Sequence, residues 1–450
     1  MDTAGTPDAV GLELDDIQSG VLHPRPSPYV GTYVLLRIDD RAAGRELMRR
    51  LGTVVSADPP TSEPARGAWV TVALTYPGLQ ALGVPRESLD SFAPEFREGM
   101  AARAAELGDV GESSPANWEE PLGSPDVHVA LAALSPDAGR LAAVVERARH
   151  AHQELPGVEV IWRQDCYQLP TGRTSFGFKD GIGNPAVEGS GIPGSNPRER
   201  PIKAGEFLLG YPDETGGLPP MPTPELLGRN GTYIVFRKLH TRVAAYRRYL
   251  HERAASREEE ALLGAKMVGR WHSGAPLALS PDRDDPELGA DPARNNDFDY
   301  HDDPRGFRCP AGAHARRANP RDALDHEGSV NVRLHRMIRR GTSYGPELPE
   351  GVLDDDGADR GIVFVFVGTH LKRQFEFVKT QWLNGGIFIG TPTEKDPLVG
   401  PNDESGVFTI PQRPIRRRLQ GLPPFVVVRG GEYCFVPGLR ALRWLAELNT

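Results

Sequence analysis

Gly31-Thr-Tyr-Val-Leu-Leu-Arg-Ile38 and Gly231-Thr-Tyr-Ile-Val-Phe-Arg-Lys238 are nearly the same phrase, written once in each half of a 450-residue chain. Four of the eight positions are identical, the residues are mostly β-branched or aromatic, and an Arg-rich helix candidate follows each copy. Both copies therefore predict a strand leading into a helix. Working outward from the first copy, Tyr29–Ile38 is a strand, Asp40–Leu51 a helix with Leu47 and Leu51 on one face, and Trp69–Leu74 and Val127–Leu134 are strands separated by helical and loop sequence. A helix over Asp137–Gln153 and a strand over Val158–Asp165 complete a β-α-β-β-α-β order, the ferredoxin-like pattern. Around the second copy come a strand at Ile362–Thr369, a helix at Leu371–Leu383, strands at Phe425–Arg429 and Tyr433–Val436, and a closing helix at Leu439–Leu448. A chain of this length exceeds one ordinary core. The expected fold is α+β, with two ferredoxin-like domains (residues 1–205 and 206–450), each an antiparallel sheet with helices on one face.

Between these units, residues 181–224 are crowded with Gly and Pro and predict a long connection with little regular structure. Residues 280–304 predict a second, acidic loop. Long loops in compact domains are usually functional or disordered; here the first begins at a Gly-x-x-Asp-Gly run and the second leads into Cys309, which favours function for both. Composition is that of a soluble globular protein, 39% hydrophobic and 25% charged. A net charge of −9 offers no overall basic footprint for nucleic acid. The longest clean apolar run, Ile362–Val367, is far below the roughly 18 residues of a membrane span. The N-terminus has no Lys or Arg before Arg25 and no apolar stretch, so no export signal is expected and the expected location is cytoplasmic. Three scattered cysteines make no disulfide framework, and without Cys-x-x-Cys-His any haem would be non-covalent.

Three short runs carry the chemistry. Cys309-Pro-Ala-Gly-Ala-His-Ala-Arg-Arg-Ala-Asn-Pro-Arg321 places His314 after a bend set by Pro310 and Gly312, with Arg316, Arg317 and Arg321 beyond it. A neutral imidazole is a common haem ligand, and arginines suit the two haem carboxylates. An axial His normally donates its other nitrogen to a carboxylate or carbonyl; Asp396 is a candidate. Rival ligands are His335 and the thiol of Cys309, while His150 and His152, two apart on a predicted helix, point to different faces. In Gly177-Phe-Lys-Asp-Gly181, Asp180 lies between glycines that let backbone approach a flat ligand, though an ordinary Asp-Gly turn has the same pattern. Arg339, in Arg339-Arg-Gly-Thr-Ser-Tyr-Gly345, is either a site cation or a helix-end arginine, with His335 expected in a helix before it. No group of His and carboxylates at ligand spacing favours a non-haem metal enzyme.

Together the three runs resemble the dye-decolorising peroxidase family, through Gly-x-x-Asp-Gly, Cys-Pro-x-x-Ala-His and Arg-x-Gly-x-x-Tyr-Gly in that order. The likeness extends to Gly361-Ile-Val-Phe-Val-Phe366, Phe375-Glu-Phe-Val-Lys-Thr-Gln-Trp-Leu-Asn384 and Gly431-Glu-Tyr-Cys-Phe-Val-Pro437. Length and the Cys-Pro-x-x-Ala-His form are similar to the larger members. Ser343 and Ile362 depart from the residues frequent at their positions, Pro and Leu.

The resemblance implies haem b in the C-terminal half, with His314 as proximal iron ligand, Asp180 as distal acid/base and Arg339 as distal cation. Ile362 and Phe364 would line a small distal pocket. Peroxide must lose a proton from one oxygen and gain it on the other before its O–O bond opens. A carboxylate can shuttle that proton and a guanidinium can stabilise the departing oxygen. Dyes too bulky for the pocket would give electrons through Tyr344, the relay the family suggests, or Trp382. The expected partners are hydrogen peroxide and aromatic reductants such as dyes and phenols. Encapsulation in a protein shell, which the family also shows, is not expected of a chain closing at Leu445-Ala-Glu-Leu-Asn-Thr450. The alternative reading is a haem-carrying or iron-releasing protein, which would have no need of Asp180 and Arg339.

Overall fold

The structure, a computed structural model, describes residues 11–57, 68–325 and 330–448. The first ten residues, used above to judge export, and the last two of the C-terminal tail lie outside that range.

Each copy of the repeated phrase opens a four-part antiparallel unit. In the first, β1 (Val30–Ile38), β2 (Trp69–Leu74), β3 (Val129–Ser135) and β4 (Val158–Tyr167) stand in the order β4-β1-β3-β2. In the second, β5 (Thr232–Thr241) pairs with β8 (Gly361–Gly368). The other side of β8 takes two short strands, β6 (Ile338–Arg339) and β7 (Thr342–Tyr344). A separate hairpin, β9 (Val407–Ile410) with β10 (Arg417–Gln420), precedes β11 (Val426–Val436), which pairs with β5. With β6 and β7 counted as one broken strand, the second unit has the strand order of the first. The two units are not separate sheets. β11 meets β2 at Phe435 and Leu74, which joins them edge to edge.

Helices 41–51 and 138–152 start where the sequence predicts, because Asp40 and Asp137 each accept a backbone N–H of the first turn, from Ala43 and Arg140. With helix 439–446 they cover one face of the sheet and bury Leu47, Leu51, Val144, Ala148, Leu442 and Leu445.

Four departures from expectation have physical causes. Phe425–Arg429 and Tyr433–Val436 are one strand, β11. The Gly430-Gly431 pair that resembles a turn is a bulge, and a Cβ on Gly430 would stand 2.4 Å from that of Leu122. Residues 338–344 are not a helix end but strands, which Gly341 breaks into pieces too short to show an alternation. His335 lies on a single 3₁₀ turn, 332–335. Residues 371–383 do form a helix, but it is wound with i→i+5 bonds such as Glu376 N–H to Leu371 O at 2.9 Å and Asn384 N–H to Lys379 O at 2.9 Å. The acidic loop carries a short helix, Pro286–Ala290.

Glu432 on β11 is buried with no ion-pair partner among the described residues; it accepts only the Gly123 N–H. Burial pushes its carboxyl up to about 8. The folded chain therefore keeps a proton that the unfolded chain sheds above the ordinary Glu value, and stability should fall as pH rises through that interval. Urea midpoints of Glu432→Gln should accordingly vary less than those of the wild type between about pH 5 and pH 8. Parallel curves would show that Glu432 is ionised in the fold.

Candidate active site

The register of β5 against β8 sets Arg237 opposite Phe364 and Leu239 opposite Ile362. Two apart on each strand, the four side chains share one face. All four line a cavity of about 1120 Å³, larger than the roughly 300–1,000 Å³ of most small-molecule sites. Asp180, His314 and Arg339 line the same cavity.

His314 opens the one-turn helix His314–Ala318. Its Nδ1 lies 2.9 Å from Oδ2 of Asp396, which is fully buried, and the other Asp396 oxygen accepts the N–H groups of Leu398 and Val399, both at 2.9 Å. Burial alone would raise the Asp396 carboxyl. The facing His314, the Val399 N–H and Arg317 outweigh it and hold the group below the usual carboxylate range. An imidazole whose Nδ1–H is committed to a carboxylate keeps its Nε2 lone pair for a metal.

Asp180 comes from another wall. Gly177 and Gly181 take positive φ values of 88° and 81°, which turns the loop so that the carboxylate between them reaches the cavity. Its Oδ2 is 3.4 Å from Nη2 of Arg25, and the side chain is 47% exposed. A Cβ on Gly341 would lie 3.3 Å from that oxygen and 3.5 Å from Ile362 Cγ2, so Asp180 and Ile362 are neighbours across a glycine. Arg339, on β6, donates its backbone N–H to Asn184 Oδ1 at 2.9 Å and its Nη2 to Gly183 O at 3.4 Å. Its other guanidinium N–H groups bond no described residue. Burial draws the guanidinium down from its usual value, while nearby Asp180 opposes the shift.

No family-level sequence model matches the chain. Individual relatives do. The dye-decolorizing peroxidase msp1 of Mycetinis scorodonius is 30% identical over 98% of this chain and 89% of its own length. Peroxidase 2 of the same organism is 32% identical over 83% and 75%. The chain belongs to the dye-decolorising peroxidase family. A solved dye-decolorizing peroxidase in complex with 2,6-dimethoxyphenol superposes with a TM-score of 0.82 at 28% identity, covering 97% of this chain and all of that one. Membership makes the protein a peroxidase, an oxidoreductase acting on peroxide with a haem cofactor.

The donor set fits haem. Among the described residues no three His, Cys, Asp or Glu side chains gather as a metal cage, so a metal held by His314 must bring further ligands, as a porphyrin does. Leu239, Ile362, Phe364, Phe375, Val378 and Leu398 supply apolar wall. The rival ligands do not line the cavity. Cys309 is buried with its thiol pushed up to about 11 by burial, and His335 stacks on Phe377 at 3.9 Å while its Nδ1 meets Arg373 O at 2.6 Å.

Two of the arginines after His314, Arg316 and Arg317, serve differently from the expectation that they face carboxylates of a bound group. Arg316 donates to the carbonyls of Cys309 and Asp303 at 2.7 and 2.9 Å. Arg317 spans those of Gly312, Trp382, Gly385 and Glu394. Arg321 lines the cavity but donates to Asn296 O, Phe298 O and Asn296 Oδ1. A loop-rich segment leaves buried carbonyls without ladder partners, and these guanidinium groups supply the donors. Tyr344 is buried behind Leu239, with its hydroxyl 3.3 Å from Leu239 O and 3.3 Å from Asp359 Oδ1. Trp382 is buried among His335, Phe377 and Phe388. Neither lines the cavity.

Sequence reasoning missed several cavity cations, among them Arg25, Lys379 and Arg237. Arg25 meets Asp180 from 155 positions away, with no local signal. Lys379, pushed down to about 8 by burial, donates to Val399 O at 3.1 Å. Arg237 pairs with Asp109 at 2.6 Å in the buried wall, and the repeat itself disguised it, since its counterpart Arg37 is paired with Asp39 and Glu159 near the surface.

Nitrogen NMR of the labelled protein without cofactor should find His314 in the tautomer protonated at Nδ1, changed by Asp396→Leu. A proton on Nε2 in the wild type would rule out the Asp396 carboxylate as the partner that frees Nε2.

Proposed function

We propose that the chain binds haem b non-covalently through His314 Nε2 and uses hydrogen peroxide to oxidise aromatic reductants such as dyes and phenols. The observation that carries this reading is the placing of Asp180 and Arg339 on one cavity with an imidazole already oriented by Asp396. When bound, the haem supplies a redox-active iron at which the peroxide O–O bond opens. The N-terminal domain, residues 1–205, contributes Asp180, and the C-terminal domain, residues 206–450, contributes His314, Arg339, Ile362 and Phe364.

Asp180 takes the proton of one peroxide oxygen and returns it to the other, a transfer that needs a carboxylate free to turn, and half its side-chain surface is free. The unengaged N–H groups of Arg339 stabilise negative charge on the departing oxygen. Glycines at 183 and 341 make this possible, because a Cβ at 183 would stand 2.6 Å from Arg339 Nη2 and one at 341 would crowd Asp180. Ile362 and Phe364 put apolar side chains on the wall beside this pair. Reductants too bulky for the space beside a bound haem therefore give their electrons through the protein, with Tyr344 as one relay and Trp382 as a second. A haem-carrying or iron-releasing protein has no use for Asp180 and Arg339 as a distal pair.

Stopped-flow mixing with peroxide should show Asp180→Asn slowed by about 100- to 10,000-fold and Arg339→Leu by about 100- to 1,000-fold. Wild-type rates in both would remove the mechanism. His314→Ala should lose or severely alter the haem absorption band; an unchanged band would move the iron ligand elsewhere. Tyr344→Phe should turn over a large dye more slowly than the wild type, and equal turnover would take Tyr344 out of the path.

A further inference from the structure

Tyr344 does not stand alone in the fold. Its hydroxyl is 3.3 Å from Oδ1 of Asp359, and that same oxygen faces His240 Nδ1 at 3.0 Å. The other oxygen, Oδ2, is held by Lys238 Nζ at 2.9 Å, and this ammonium is also paired with Glu119. Lys238 is buried, and its nitrogen sits 4.8 Å from the centre of the Tyr344 ring. Asp359 keeps 54% of its side-chain surface in solvent.

A phenol that loses an electron becomes a very strong acid, and the partners of its hydroxyl dictate where its proton goes. The Tyr344 hydroxyl already faces a carboxylate oxygen at 3.3 Å, so electron loss from the ring can be coupled to proton loss along that contact. The hydroxyl's other neighbour, the Leu239 carbonyl, accepts a hydrogen bond but is too weak a base to keep a proton. The carboxylate is a far stronger base than that carbonyl. Burial alone would raise the Asp359 carboxyl, but His240 and Lys238 outweigh it and hold the group below its usual range, so it is ionised and open to the proton of an oxidised phenol, which its exposed side passes on to water.

We propose that Asp359 is the base that takes the phenolic proton of Tyr344 as that ring gives up one electron. The inference rests on the relay reading of Tyr344 given above. In the step, the Tyr344 Oη–H bond breaks and an O–H bond forms at Asp359 Oδ1. The electron fills one of the two oxidising equivalents delivered by hydrogen peroxide, leaving a neutral tyrosyl radical. An aromatic reductant then restores one electron and, through Asp359, one proton. Tyr433 with Glu376 at 2.8 Å is a second phenol–carboxylate pair, but Glu376 is buried and clamped by Arg103, so it has no comparable outlet for a proton.

The test uses the haem-loaded protein, frozen after mixing with peroxide and examined by electron paramagnetic resonance. The tyrosyl signal should disappear in Tyr344→Phe, fall by about tenfold or more in Asp359→Asn, and recover in part in Asp359→Glu. A full signal in Asp359→Asn, with none in Tyr344→Phe, would overturn Asp359 as acceptor while leaving the relay standing. A full signal in Tyr344→Phe would overturn the relay and this inference with it. If Asp359→Asn does not fold, the wild type still decides, since radical formation should be slower in heavy water and equal rates in the two solvents would reject the proton transfer.

Discussion

The pairing of β8 with β5 on one side and with the broken strand β6/β7 on the other is the constraint on which the site depends. A strand carries its side chains to alternate faces, so fixing one register pair fixes every neighbour. With Leu239 opposite Ile362 and Arg237 opposite Phe364, one face of β8 must point into the cavity. With Arg339 opposite Phe366 and Tyr344 opposite Gly361, the cation and the phenol are set at the two ends of the same strand. A slip of one residue would send Ile362 and Phe364 into the apolar core and Val363 and Val365 into the cavity.

The opposite requirement governs the His314 side, which is built almost without strands. Loops there bury many carbonyls, and the structure meets their need for donors with whole guanidinium groups. Arg317 alone serves four backbone oxygens from three segments: Gly312, Trp382 with Gly385, and Glu394. Burying a charged group for this purpose is costly unless its N–H groups are used, and most of Arg317's are. The return is rigidity. Gly312, Glu394 and the 382–385 turn are tied to one centre, and Asp396 and His314 hang from the tied segments.

Much of this was legible beforehand because strands and caps are local. The repeated Gly-Thr-Tyr phrase announced both β1 and β5, Asp40 and Asp137 marked helix starts, and three motifs named Asp180, His314 and Arg339. What escaped was set by distance or by a glycine with two meanings. Gly430 and Gly341 both resemble turns, yet one bulges a continuous strand and the other splits a short one. Arg25 and Asp109 acquire their roles only through residues more than a hundred positions away. Arg237 was hidden by its own repeat, because an arginine at the same place in both copies cannot show which copy faces water.

Arg237 also shows how one position of the repeated phrase is put to two uses. On the outer strand pair β1–β4, the repeated arginine satisfies carboxylates that water already solvates, and such a pair stabilises little. On β5, between β8 and β11, the same position is walled in, so its charge is felt strongly by whatever occupies the cavity. Asp109 faces it, and Lys379 adds a second buried cation on that wall, opposed by Asp109 and Asp396. The Nε of Arg237 is buried with no partner among the described residues. The same residue at the same place in the repeated phrase is therefore a screened surface charge on one strand and a fixed charge in the cavity wall on the other.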